Sequence, residues 1–184
     1  MRFAALLLLA LSAPAVAQTP PPAPPRHPVA MPVPPAKPAD VESIDGIIAA
    51  LYDVISGPAG QARDWNRMRS LFIPGARMMP VGGPAKDDIR IRLLTPNDYV
   101  ATSGPLLLDK GFHERELARE VEQFGNIAHV FSTYEALIEK DKATMRGINS
   151  IQLMHDGQRW WIVSLMWQAE SDALKLPVQY LPKK

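Results

Sequence analysis

The stretch from Arg146 to Trp167, RGINSIQLMHDGQRWWIVSLMW, limits the possible folds more than any other part of the chain. Two apolar-rich runs flank Asp156-Gly157, a dipeptide suited to a tight hairpin because both central turn positions accept positive φ. Read as a two-residue turn, it pairs His155 with Gln158, Leu153 with Trp160, Ile151 with Ile162, Asn149 with Ser164 and Gly147 with Met166. Register decides which side chains share an interior, since a slip of one residue exchanges the two faces of a strand.

The rest of the domain is arranged around that hairpin. Ile44, Ile48, Leu51 and Ile55 recur at helical spacing, with Ser43 or Asp40 available as the cap and Ser56-Gly57-Pro58 as the stop. Asp64 opens a second helix carrying Trp65, Met68, Leu71 and Phe72, ended by Pro74-Gly75. Residues 76–81 and 89–94 read as short strands. Thr95-Pro96-Asn97-Asp98 starts a third helix, expected to bend or break at Gly104-Pro105 and finish near Lys110-Gly111. Long strands follow over 112–124, 127–139, 144–155 and 158–169, joined by Gly125-Asn126, the loop KDKA and Asp156-Gly157. Helices gathered against one face of a curved antiparallel sheet make an α+β domain.

This order resembles the nuclear transport factor 2-like superfamily, which includes SnoaL-like cyclases and ketosteroid isomerases. The residues carrying the likeness are Asp64-Trp65 through Phe72 to Pro74-Gly75-Ala76-Arg77, then the run from Ala128 to Glu135. The third is Asp156-Gly157-Gln158-Arg159-Trp160-Trp161-Ile162-Val163, similar to the family's "dGrW-I" hairpin. The resemblance spans residues 41–170 and implies a cone-shaped fold with a pocket between sheet and helices, and a dimer surface on the outer sheet face. Fold does not fix function here, because members include isomerases, dehydratases, transport factors and non-catalytic domains.

Closing the KDKA loop at Glu139 and Thr144 pairs Tyr134 with Asn149, Ser132 with Ile151 and Val130 with Leu153. Turning at Gly125-Asn126 pairs Val121 with Val130, Arg119 with Ser132 and Leu117 with Tyr134. Val121, Val130, Leu153 and Trp160 then form one apolar row. The same face carries Arg115, Arg119, Ser132, Tyr134, Asn149 and Ser164, which with Trp160 and Met166 form the candidate ligand-binding set. A guanidinium in a poorly hydrated cone needs an acid or a ligand anion, so Arg119 points either to an ion pair with a helix acid such as Asp64 or Asp98, or to a small apolar carboxylate held with Tyr134. The opposite face shows Ile148, Trp161, Val163, Leu165 and Trp167, to be covered by a second subunit or by the C-terminal segment LPVQYLP.

Motifs for chemistry are scarce. Isomerase catalysis of the ketosteroid kind needs a carboxylate beside enolate-stabilising donors, and the expected concave positions hold no Asp or Glu. His129 falls on the outer face opposite Glu122, His155 flanks the turn, and only His113 could reach the cone mouth. No metal-ligand spacing, phosphate loop or nucleophile elbow occurs, so neither metal nor cofactor is expected. Three readings follow: a non-catalytic domain binding a small apolar, anionic molecule, an envelope assembly module, and an isomerase or lyase. An acid placed by the helices within hydrogen-bond reach of Tyr134 revives the third. A cone plugged by Trp160, Met68 and Met78 favours the second.

The first 17 residues read as a secretory signal: Arg2, the apolar run from Ala4 to Leu11, then Ala15-Val16-Ala17. The run is too short to span a bilayer, so no integral span is expected after cleavage and the protein is expected to be secreted or periplasmic. The chain has 20 Lys+Arg and 19 Asp+Glu, and losing Arg2 leaves 19 of each, a balance unsuited to nucleic-acid binding. Residues 18–39 hold ten of the 19 prolines and form a stalk, residues 40–176 the domain and 177–184 a tail. With no cysteine, the domain depends on its core. Intact-mass measurement of exported protein should give a chain beginning at Gln18; retention of residues 1–17 would refute the signal.

Overall fold

The computed structural model describes residues 33–83 and 89–183. The signal segment and most of the proline-rich stalk lie outside the described residues. Three helices, α1 (Ile44–Ile55), α2 (Trp65–Leu71) and α3 (Pro96–Lys110), pack on a six-stranded sheet. The strands are β1 (Phe72–Gly82), β2 (Arg90–Ile91), β3 (Phe112–Phe124), β4 (Ile127–Ile138), β5 (Ala143–His155) and β6 (Trp160–Ala169). Their order is β2-β1-β6-β5-β4-β3. The last four form an antiparallel meander, and β1 lies parallel to β6. Among the described residues, no helix is long and apolar enough to cross a membrane.

Each helix begins where a side chain satisfies an orphan amide. The Ser43 hydroxyl accepts from Gly46 N–H at 2.9 Å, and the Asp64 carboxylate accepts from Arg67 N–H at 2.9 Å. Thr95 and Asp98 form a reciprocal capping box. Asp40 does not cap α1; it takes a bidentate pair from Arg67 at 2.7 and 2.9 Å. Helix α2 ends one residue earlier than expected, and buried Phe72 begins β1. Helix α3 runs unbroken through Gly104-Pro105, where the bare Gly104 Cα faces the Trp65 ring, so packing overrides the local breaker signal. The core joins Ile47, Ile48, Leu51, Met68 and Leu71 from the helices to Val130, Ile151, Leu153 and Ile162 from the sheet.

Register departs from expectation at four places, with unequal consequences. Asp156 accepts from the amides of Gln158 (2.8 Å) and Arg159 (2.9 Å), so the hairpin is a four-residue loop closed by His155 and Trp160. Gly157 has φ 98° within it. The β4–β5 pairing also moves by two, with Tyr134 opposite Gly147 and Ser132 opposite Asn149. Shifts of two preserve the faces. The other two departures are bulges, which do not.

One bulge falls in β3 at Leu117, between the Glu116↔Tyr134 and Ala118↔Thr133 pairs. The expected Val121↔Val130 and Arg119↔Ser132 pairs stand on one side of it. Beyond it the faces exchange: Glu114 and Glu116 turn toward the helices, whereas Arg115 turns out to pair with Glu135 at 2.8 Å. Leu117 lies beside Tyr180 of the tail, and Val121 is 43% exposed at the open end of the sheet. The second bulge is in β6 at Val163, between Leu153↔Ile162 and Gln152↔Ser164. It turns Leu165 and Trp167 inward and carries Ser164 and Met166 to the outer face, the reverse of the expectation for all four.

The outer face therefore carries less apolar surface than expected. Ile148, Phe131 and Met166 remain there beside the C-terminal residues Leu174 and Leu176. The tail crosses β4, where Thr133 Oγ1 donates to the Tyr180 carbonyl at 2.7 Å and the Phe131 and Tyr180 rings lie 4.9 Å apart. Trp161 is half-buried, its indole N–H donating to Asp156 at 2.7 Å while the Arg159 guanidinium lies 3.7 Å above its ring. Trp160, by contrast, is 7% exposed. Replacing Trp160 by Ala should lower the urea-unfolding free energy by about 3–5 kcal/mol. Trp161→Ala should cost much less; an equal cost for both would contradict the observed faces.

Candidate functional site

Between the concave face and the helices lies a cavity of about 230 Å³. Leu51 and Ile55 of α1, Leu107 of α3, Met78 of β1, and Leu165 and Trp167 of β6 form apolar walls. Exposed Leu106 and Met145 mark a mouth between the second half of α3 and the β4–β5 hairpin. Across that mouth Lys110 pairs with Asp141 at 2.8 Å and Lys140 with Asp109 at 2.9 Å. Met68 and Trp160 sit in the core rather than plugging this space.

Polar groups enter the cavity from four elements. Glu114 arrives on β3 because of the Leu117 bulge, Asn149 on β5 and Tyr134 on β4. Tyr99 and Ser103 come from α3. Tyr134 rests against Gly147, where an added Cβ would stand 2.4 Å from the phenol oxygen. Glycine at 147 thus lets that ring lie flat against the neighbouring strand.

Behind the cavity runs a continuous set of hydrogen bonds. Asn149 Nδ2 donates to Glu114 Oε1 at 3.2 Å and to the Tyr52 phenol oxygen at 3.1 Å. Tyr52 and Ser132 share a hydrogen bond of 2.7 Å, and the Ser132 hydroxyl donates to Glu116 Oε1. Arg119 Nε donates to Glu116 Oε2 at 2.9 Å and its Nη1 to Asp45 of α1 at 2.8 Å. Arg119 is therefore held in an ion pair. Its partners are Glu116 and Asp45 rather than Asp64 or Asp98, which cap their helices.

The front of the cavity is different. Among the described residues, neither the Tyr99 nor the Tyr134 hydroxyl has a hydrogen-bond partner, so both are free to donate to a guest. Burial, and then the charge of Glu114, push both phenols above the usual tyrosine range and keep them protonated donors. Burial likewise raises the Glu114 carboxyl to about 7, partly offset by the Asn149 hydrogen bond. A carboxyl that exchanges its proton near neutrality thus shares an apolar space with two phenols.

Of the expected ligand-binding set, Tyr134 and Asn149 line this cavity. Ser132 stands behind it and Arg119 farther along the same chain. Arg115, Ser164 and Met166 are on the outer face, and Trp160 is core. His113 points out of the mouth 3.5 Å from Glu139, and His129 lies 3.7 Å from Glu122 on the outer face. Sequence reasoning missed Glu114, Tyr52 and Tyr99. Tyr52 was within reach of it, since Ile48, Tyr52 and Ile55 follow the same helical spacing. Glu114 was hidden by the bulge, which leaves no compositional mark.

Glu114 should leave a signature in stability. Its folded-state value of about 7 exceeds the ordinary 4.5. Its favourable contribution is complete below the unfolded value and is lost as pH rises through about 7. Asp40, Asp98, Asp109 and Glu170 are lowered instead, as is Asp156 to about 2, so their contributions are lost at more acidic pH. Between about pH 5 and 7.5, Glu114→Gln should gain stability relative to the parent by on the order of 3 kcal/mol. Parallel urea-unfolding curves across that window would contradict the raised carboxyl.

No family model matches the sequence, and no curated protein is similar enough to it to count as a match. Solved structures do match. A protein of unknown function with a cystatin-like fold from Nostoc punctiforme aligns with TM-score 0.53 at 10% identity, covering 70% of this chain and 90% of that one. A protein of the NTF2-like family from Streptomyces avermitilis, provisionally named a dehydratase, aligns with TM-score 0.53 at 14% identity over 70% and 94% of the two chains. LinA gives TM-score 0.54 at 7% identity over 71% and 85%. At such identities the likeness concerns architecture, and the chain has the nuclear transport factor 2-like α+β cone fold.

Proposed function

We infer that the protein is a proton-transfer enzyme of the isomerase or lyase kind, acting on a small, largely apolar carbonyl compound within the cone. The observation that carries this reading is Glu114. A carboxyl placed among aliphatic walls with a proton affinity near neutral pH suits a general base that takes a proton from carbon and returns it elsewhere. Tyr134 and Tyr99 supply donors for the oxyanion that forms on the carbonyl during that step, in a space where hydrogen bonds are strengthened by exclusion of water. The name of the Streptomyces avermitilis neighbour is consistent with the same chemical family.

The reading replaces an anion held by Arg119. That guanidinium already has two carboxylate partners, and an anionic head beside Glu114 would meet a like charge. A neutral guest of roughly ten heavy atoms suits 230 Å³. The protein would work after export, as residues 1–17 suggest. Association of two copies through Phe131, Ile148 and Met166 remains compatible with this role.

The test is proton exchange. Small enones and β-keto compounds in deuterated buffer should exchange protons beside the carbonyl when the protein is present, followed by proton NMR. Exchange should rise as pH passes through about 7. Glu114→Gln should lose about 10²–10⁴-fold in rate. Tyr134→Phe should lose about 10²-fold, mainly in kcat. Binding of these compounds without exchange, or exchange unaffected by Glu114→Gln, would leave a binding domain as the better account.

A further inference from the structure

The hydrogen bonds behind the cavity have a direction, and it can be worked out from their ends. Glu116 is held by Arg119 Nε at 2.9 Å and is an acceptor at both oxygens. The hydroxyl of Ser132 must therefore donate to Glu116. Having spent its single proton there, Ser132 can only accept from Tyr52, although that 2.7 Å contact by itself allows either sense. Tyr52 has then spent its proton too and can only accept from Asn149. The amide must turn its nitrogen inward, and its two N–H groups reach Tyr52 at 3.1 Å and Glu114 at 3.2 Å.

We propose that the Arg119–Glu116 ion pair is a positioning device: it sets the direction of the Ser132–Tyr52 hydrogen bonds and so holds the Asn149 amide nitrogen against Glu114. Arg119, Glu116, Ser132 and Tyr52 touch no guest in this scheme. They choose which end of Asn149 the pocket carboxyl meets, and thereby its protonation state. The role of Glu114 as proton carrier rests on the function proposed above, whereas the direction of the chain does not.

A single isosteric substitution reverses every link. In Glu116→Gln, Arg119 retains the amide oxygen as its acceptor, which leaves the Gln nitrogen to donate to Ser132. Ser132 then donates to Tyr52, Tyr52 donates to Asn149, and the Asn149 amide turns its oxygen inward. That oxygen accepts from a protonated Glu114 and repels a carboxylate. Glu114 should consequently hold its proton to higher pH.

Charge alone predicts the opposite sign. The charged groups around Glu114 are Lys110 of α3, already held by Asp141, and Glu116 and Arg119 of its own strand, with Asp45 of α1 beyond them. Tyr52, Tyr99 and Tyr134 face it as neutral phenols, and β5 and β6 bring no ionisable group to it. Removing the negative charge of Glu116 would make it easier for Glu114 to ionise. The sign of the shift separates the two accounts.

The experiment is a pH titration of carbon-13-labelled glutamate side chains by NMR in the full-length protein, with the Glu114 signal assigned by its loss in Glu114→Gln. Glu116→Gln should raise the Glu114 midpoint by about one pH unit. Adding Ser132→Ala breaks the chain, so the double variant should titrate at or below the parent. A midpoint unchanged or lowered in Glu116→Gln, or a rise that persists in the double variant, overturns the positioning role. The measurement uses no substrate, so its failure leaves the proton-exchange test standing, and failure of proton exchange leaves this one standing.

Discussion

Side chains on a strand alternate between faces, and a single extra residue reverses the alternation for everything beyond it. The concave surface of this protein depends on two such reversals. Without the one at Leu117, β3 would present Arg115 to the cone and leave Glu114 in water. Without the one at Val163, β6 would send Leu165 and Trp167 outward and place Met166 over the cavity. The apolar walls and the carboxyl they surround are therefore produced by the same device on two strands that are not neighbours. Neither bulge changes composition or strand order.

That accounts for how much of the molecule was legible in the sequence. Helix starts were legible because capping is local chemistry: Ser43, Asp64 and Thr95 each act within three residues. The order of β3 to β6 was legible because short loops force a meander, whereas the parallel place of β1 beside β6, which makes the sheet mixed rather than antiparallel, was not. Register near a turn was legible as well, and the Val121↔Val130 pair lies close to Gly125-Asn126. Errors of two positions, as at Asp156-Gly157, did no harm to the faces. Tyr134 and Asn149 were assigned to the interior for that reason. What escaped was the content of each strand past its bulge, which is decided by packing against helices distant in sequence. Arg115, Ser164, Met166, Leu165 and Trp167 all lie past a bulge from the turn used to place them.

The polar interior also shows why Arg119 attracted attention and what it does. A guanidinium beside a cone invites a ligand reading, yet the cost of burying it is met by Glu116 from its own strand and Asp45 from α1. Arg63 meets the same problem mainly through backbone carbonyls, with the Glu139 charge in support. It is 8% exposed, and donates to the carbonyls of Ile55 at 3.0 Å and of Gly57 and Gln61, joining the end of α1 to the loop before α2. In both cases a cation fixes backbone or side chains around the cavity rather than occupying it.

The parallel pairing of β1 with β6 bears on how the molecule assembles. The meander consists of hairpins whose contacts are close in sequence, so its strand pairing is quickly found. Strand β1 finds its long partner only when Phe72 meets Ile162 from the far end of the chain. The helices that roof the cavity flank β1 in sequence and must arrive with it. The cavity is thus enclosed only when the two parts of the chain meet, since each lacks it alone. A chain passing through a membrane amino end first would emerge with its roof waiting for its floor, carrying exposed apolar faces until the last strand is delivered.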